Sequence, residues 1–310
     1  MDYLHDDIRL CATIVSDTHI DVKHPVKIVP MYILMSALKG AKKSCSDAFI
    51  TVGDTTSAGT HVNWALARTC FRRVPDAARK IILTVGTHDG WNDDGGYTEA
   101  VSEYFSAYRD ICKRKITTTY FSEIIKGYYF ICIGTDSDSG CQAAISDKQM
   151  EWFISEMEKA GRTEKPIFVF CHQSLNQRHG LPRTWDRVED PNRAPDEGGI
   201  GERSEEVAEI LKKYKNVFYF SGHSHMGLSG EDMLKKEGYS TFETEQGVTF
   251  VNLPSLSCGN HHGEMQGLGI GLQLEIYETK VVLRPKNYIS GKWIKKLNIR
   301  DGKPYFEKEL

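Results

Sequence analysis

The chain has 310 residues, a formal net charge of −3, 40% hydrophobic residues and 26% charged residues. That length can bury a substantial core, and the balance excludes disordered, collagenous and fibrous classes. The slight negative charge argues against nucleic acid as a partner, because duplex binders rely on basic contacts to phosphate.

In chain order, short apolar runs alternate with helix-like segments. Strands are predicted at Leu10 to Ser16, Ala48 to Gly53, Lys80 to Gly86, Tyr128 to Gly134, Pro166 to Cys171 and Asn216 to Ser221. Helices are predicted at Pro30 to Lys43, Val62 to Arg73 and Glu99 to Cys112. Another follows Ser146, where Gln149 completes a capping box and Met150, Phe153, Ile154 and Met157 form an apolar stripe. A further helix opens at Ser204, with Val207, Ile210, Leu211 and Tyr214 on one face. The polar stretch from Asn176 to Gly201 reads as a long functional loop. The last quarter holds strands at Val248 to Leu253, Ile270 to Tyr277 and Lys280 to Leu283, with no helix. The βα alternation implies parallel strands with right-handed crossovers. The helix-poor end suggests a second, more antiparallel sheet.

Chemistry-bearing residues follow the strands. After the first come Asp17 and His19, after the second Asp54, and after the third Thr87, His88 and Asp89. His172 follows PIFVFC, and His223 and His225 follow NVFYFSG. The carboxyl ends of parallel strands share one edge, where open α/β sheets build their sites. His nitrogens with Asp oxygens suit Mn, Fe, Co or Zn better than Mg or Ca. Two such cations, ~3.5–4 Å apart, lower the pKa of a shared water and clamp phosphate oxygens.

The motifs D-T-H (Asp17 to His19), G-D (Gly53, Asp54), G-T-H-D (Gly86 to Asp89), His172 and G-H-S-H (Gly222 to His225) occur in that order. The set resembles the calcineurin-like metallophosphoesterase superfamily. That resemblance implies a four-layer αββα sandwich of two mixed sheets flanked by helices. It implies that Asp17, His19 and His225 hold one metal and that His172 and His223 hold the other, with Asp54 bridging. His88 would face the substrate, stabilising the transition state or protonating the leaving oxygen, and Asp89 would orient it. The family's third motif carries Asn where this chain has Thr87. A Thr hydroxyl is a weaker donor on a shorter arm, so the second metal site is expected to be the weaker one.

The implied activity is phosphoester hydrolysis with two transition-metal ions (Mn, Fe or Zn) on a small-molecule substrate, diesters ahead of monoesters. The stretch HQSLNQRHG from His172 and the S-G-H-S-H motif resemble bacterial members akin to cyclic-nucleotide phosphodiesterases. Alternatives are a phosphomonoesterase or protein phosphatase, and a metal-impaired binding protein that keeps the fold. A purple acid phosphatase would carry Tyr three residues after Asp54, where this chain has Ser57. Trp91, Asn92 and Asp93 are candidates for the pocket rim, and His179, Arg183 and Trp185 for substrate contact. His261 and His262 read first as plain loop residues, with a pocket role as the minor alternative. The Gly267 to Gly271 run precedes a strand and so reads as a turn, not a dinucleotide loop.

Residues 1–310 are expected to form a single domain, with the motif-bearing core in 8–226 and second-sheet strands and tail in 227–310. The longest apolar stretch, Ile28 to Leu38, contains Pro30 and is too short for a bilayer span. The acidic start (Asp2, Asp6, Asp7) does not read as a secretory signal, and Lys308-Glu309-Leu310 reads as a polar tail. Eight cysteines without a C-x-x-C pair point to reduced thiols in a cytoplasmic protein.

Overall fold

Apolar side chains alternating with period two put one face of each strand against the other sheet and the opposite face against helices. The computed structural model describes residues 8–23, 28–93, 95–179, 198–228, 240–259, 268–294 and 305–310. Arg183, Trp185, His261 and His262 lie outside the described residues. The first half runs β1 (Leu10–Val15), α1 (Ile28–Lys43), β2 (Ala48–Val52), α2 (His61–Arg73), β3 (Lys80–Thr84), α3 (Gly96–Cys112), β4 (Phe121–Ile125) and β5 (Tyr128–Cys132). Then come α4 (Asp147–Gly161), β6 (Ile167–Phe170), α5 (Ser204–Lys212), β7 (Val217–Ser221), β8 (Phe242–Glu245) and β9 (Val248–Asn252). The chain closes with β10 (Ile270–Ile276), β11 (Lys280–Asn287), β12 (Lys292–Trp293) and β13 (Phe306–Glu309).

The first sheet has the order β12-β11-β10-β1-β2-β3, with β13 paired to β11, and the second the order β4-β5-β6-β7-β9-β8. Strands β1, β2 and β3 are mutually parallel, as are β5, β6, β7 and β9. In β6 and β7, Phe168, Phe170, Phe218 and Phe220 join the core cluster that also contains Ile14 and Ile50 of the first sheet. Their neighbours Val169 and Tyr219 pack instead with Phe153 and Met157 of α4 and Val207 and Leu211 of α5. On the other side α1, α2 and α3 contribute Leu34, Trp64 and Tyr104 to the first cluster. The result is the expected four-layer arrangement of helices, two mixed sheets and helices.

The final strands depart from expectation. Only β8 and β9 join the second sheet; β10 pairs antiparallel with β1, and β11, β12 and β13 extend that first sheet. The reason is the open edge of β1 opposite β2, which would expose unpaired backbone groups beside the core. The seven residues of β10, all buried, cover it. The second sheet therefore begins mid-chain, with a β4–β5 hairpin that the apolar pattern alone does not reveal. Its turn residues, Lys126 and Gly127, both have positive φ (52° and 82°), the geometry that suits tight hairpins. The polar tail is also a strand: Phe306 to Lys308 pair with Val281 to Leu283.

Two helix details differ as well. Ser146 caps α4 by accepting from the Gln149 amide nitrogen, but the Gln149 side chain bonds both backbone groups of Gly134 rather than reaching back. Ile154 turns outward and is 37% exposed, while Gln149 and Glu156 are buried. Among the described residues, no helix is long and apolar enough to cross a membrane. All eight cysteines are free.

Candidate metal centre

The carboxyl ends of β1, β2, β3, β6 and β7 meet at one edge shared by both sheets. Backbone bonds lace the loops together: Asp17 N donates to Gly53 O, His19 N to Asp54 O, and Gly222 N to the His172 carbonyl. Ser16 Oγ donates to the Val52 carbonyl, and Ser255 Oγ, beyond β9, to that of Asp17. Asp17, His19, Asp54, His223 and His225 all adopt the left-handed region, with φ between 47° and 65°. This turns each side chain sharply off its strand axis, a conformation that Asp and His tolerate better than bulky residues. Gly53 (φ 79°) is required sterically too, since a Cβ there would lie 2.3 Å from His172 Nδ1.

Two groups of candidate ligands result. Asp17, His19 and His225 form one and Asp54, His172 and His223 the other, with ligand atoms in each within 4.8 Å of one another. Asp54 faces both: its Oδ2 lies 3.0 Å from His172 Nε2 and 3.9 Å from His19 Nε2. A third combination within the same limit is His19, Asp54 and His88. The six residues of the first two groups, predicted from separate motifs, are thus brought together.

The ring tautomers favour a cation. His172 Nδ1 lies 2.7 Å from the Val52 carbonyl and His225 Nδ1 lies 3.0 Å from that of Gly259. A carbonyl only accepts, so both Nδ1 atoms carry the proton and the Nε2 atoms turn toward the carboxylates. His225 Nε2 is 3.1 Å from Asp17 Oδ1 and 3.1 Å from His19 Nε2. Buried Asp17 Oδ1 and His172 Nε2 have no hydrogen bond. A positive charge, whether a proton on an imidazole or a metal ion, stabilises electron-rich atoms crowded this way, and the N/O donor set with carbonyl-pinned imidazoles fits a metal ion.

The electrostatics agree. Burial opposes its charge, yet His225 and His172 hold the Asp17 carboxyl well below the ordinary range. Asp54, also buried, is lowered by His172 and His88. Burial alone would lower His172, but Asp54 and Asp17 push it up to about 10. Burial lowers His19. Without a metal, the carboxylates place a proton on an imidazole.

His88 is anchored differently from the expectation. Its Nδ1 donates to the Ser57 carbonyl at 3.0 Å, and its backbone N–H donates to Asp54 Oδ1 at 2.8 Å. Asp89 does not touch the ring. Its buried carboxylate accepts from the backbone of Thr55, Thr56 and Gly86 and from the Thr56 hydroxyl. Asp89 therefore ties the β2 and β3 loops together instead of orienting His88, because four nearby donors claim its oxygens. Burial, with Asp54 adding to it, pushes its pKa up to about 6.

Thr87 Oγ1 sits 3.5 Å from His223 Nδ1 and accepts from Gln173 Nε2 at 3.1 Å. Sequence reasoning missed Gln173; its position next to His172 was the available signal. It also missed the carbonyls of Val52, Ser57 and Gly259, which no side-chain pattern could reveal. Trp91 lies at the rim, 45% exposed, with its ring edge-on to His88 at 6.3 Å. His179 is buried and its Nδ1 donates to the Ser240 carbonyl at 2.6 Å, which gives it a loop-anchoring contact.

The sequence profile of the calcineurin-like phosphoesterase family matches residues 12–227. No curated protein matches the sequence. Among solved structures, a dimetal phosphatase from Danio rerio aligns over 91% of this chain and 97% of its own, with a TM-score of 0.55 and 11% identity. A purple acid phosphatase from yellow lupin aligns over 92% of this chain, with a TM-score of 0.58 and 11% identity. This chain spans about half of the lupin enzyme, 52% of its length. At that identity the two structures share its fold, and the profile match over most of the chain makes it a member of the calcineurin-like phosphoesterase family.

Proposed function

We propose that this protein is a metal-dependent hydrolase of phosphodiesters. The observation that carries the reading is the convergence of Asp17, His19 and His225 with Asp54, His172 and His223, Asp54 facing both groups. These residues would hold two ions of the Mn, Fe or Zn kind, with Asp54 between them. When bound, the ions supply Lewis acidity toward a water and the phosphoryl oxygens. His172 and His225 keep their Nε2 lone pairs directed inward because backbone carbonyls hold the Nδ1 protons. Thr87 stands in the second group as a weak oxygen donor, already shared with Gln173.

His88 acts on the substrate. With Nδ1–H committed to Ser57, its Nε2 can carry the proton that the leaving oxygen takes up. Trp91 beside it offers an apolar surface to the ester's organic group. The carboxylates of Asp17 and Asp54 ion-pair only with histidines among the described residues. Among the described residues no lysine or arginine pairs with these carboxylates, and the diester preference rests on the resemblance of the motif set to phosphodiesterase-like members. The single-domain organisation and a reducing, cytoplasmic setting belong to the same reading, the latter in line with eight free cysteines.

The test is turnover of the metal-loaded protein on bis(p-nitrophenyl) phosphate against p-nitrophenyl phosphate. The diester should be hydrolysed faster, and His88→Ala should lose ~10²-fold in rate with metal content kept. Preference for the monoester would reverse the substrate assignment. Loss of metal together with activity would make His88 a ligand.

A further inference from the structure

Beside α1, strands β10, β11 and β12 line a cavity of about 680 Å³, and none of the metal-centre residues borders it. Four cationic side chains line it (Lys39, Lys43, Arg284 and Lys286) against the single carboxylate of Glu275. That carboxylate is already satisfied: it accepts from Gln273 Nε2 at 2.6 Å, from Tyr277 Oη at 2.9 Å and from Arg284 Nη1 at 3.4 Å. Among the described residues Lys39 and Lys43 form no ion pair, and neither does Lys286.

Lys286 is the informative member. It is only 8% exposed, and its ammonium makes one hydrogen bond, to Ser44 Oγ at 3.2 Å. Its other contacts are the rings of Trp293 at 4.8 Å and Tyr288 at 5.6 Å. Burial lowers its pKa and the charges of Lys43 and Arg284 add to that, while Cys11 and the Glu275 carboxylate oppose it. A buried ammonium without an ion-pair partner among the described residues is costly, and a protein of net charge −3 has no general excess of cations to place here. An anion entering the cavity would compensate three unpaired lysines at once.

We propose that this cavity is a second ligand site, for a small phosphate-bearing polyanion. One carboxylate group would leave two lysines unbalanced, whereas a diphosphate or nucleotide carries two or more charges and several acceptor oxygens. The volume lies in the range of small-molecule pockets. The inference is independent of the reading of the metal centre.

Calorimetric titration of the full-length, metal-loaded protein with methylenediphosphonate, a non-hydrolysable diphosphate, tests it. Asp54→Asn weakens binding at the metal centre, so a class of binding that this variant leaves unchanged reports the cavity. In that background Lys39→Gln with Lys43→Gln, both on the exposed side of α1, should weaken this class about tenfold or more. Lys286→Met should do the same, and the surface double variant keeps the test decisive if the buried change impairs folding. The proposal is overturned if no binding survives Asp54→Asn, or if the surviving class ignores the lysine changes.

Discussion

Five of the candidate site residues sit in a backbone conformation that disfavours a Cβ, and all five belong to the groups that could hold a metal ion. Such local strain, of order 1–2 kcal/mol per residue, persists only where surrounding bonds over-determine it. Here the bonds that Asp17, His19 and Gly222 make across the strand ends supply that constraint. His225, at φ 57°, makes the strain measurable. With metal removed by chelation, both His225→Gly and His225→Ala lack the ring, but glycine alone relieves the backbone. Urea denaturation should place the glycine variant about 1 kcal/mol above the alanine variant. Equal midpoints would show that the loop relaxes without cost. Thr87 gives a second prediction. An Asn side chain reaches one atom further than the Thr hydroxyl, so Thr87→Asn should tighten the ion held by Asp54, His172 and His223. Competition against a chelating dye should show about tenfold, within the range seen when groups around a metal are altered. An unchanged affinity would mean that Gln173 and Thr87 leave no open donor position.

The strands show how a site is held rigid. Phe130, Phe168 and Phe218 stack across β5, β6 and β7 with ring centroids 5.2 and 5.4 Å apart, and Phe170 and Phe220 stack at 5.0 Å. These rings fill the space between the sheets and fix the register of the strands that end in His172 and His223. Phe168→Ala should cost about 3–5 kcal/mol in a denaturant midpoint analysis. Ile154→Ala, on the outward face of α4, should stay within about 0.5 kcal/mol. This contrast also marks what the pattern could tell. The continuous apolar runs of β5 to β7 were legible because both faces of these strands are buried, and the stripes of α4 and α5 because burial on one face imposes a period. Ile154 escaped because a stripe drawn at i, i+3, i+4 includes a residue at its margin, and helix contact ends before it. The β4 hairpin and β13 escaped because short, charged strands carry little periodicity and gain their place from a neighbour's open edge.

Across the molecule, the candidate ligands come from both sheets: Asp17, His19 and Asp54 follow β1 and β2, and His172, His223 and His225 follow β6 and β7. Ions bound there would tie the two halves of the sandwich together and stabilise only the folded arrangement. Metal loading should therefore raise the thermal midpoint, with a gain of about 4 kcal/mol when free metal is a thousandfold above its dissociation constant. Chelation should reverse the shift, and Asp54→Asn should reduce it because that carboxylate faces both groups. A midpoint indifferent to metal in the native chain would contradict the assignment of these residues as ligands.

The clustering of the candidate ligands was readable before folding because each follows an apolar run, and parallel strands necessarily bring their carboxyl ends to one edge. The layers were readable for a related reason, since apolar runs and amphipathic spacing record burial directly. Three things required the folded chain. The destination of β10 and β11 depended on which sheet had an uncovered edge, a property of strand order that local pattern does not encode. The role of Asp89 depended on which donors lay within reach, and four of them outcompeted His88. The proton positions on His172, His225 and His88 depended on the carbonyls of Val52, Gly259 and Ser57. Backbone carbonyls are present at every residue, so only tertiary packing selects the three that set the chemistry of the site.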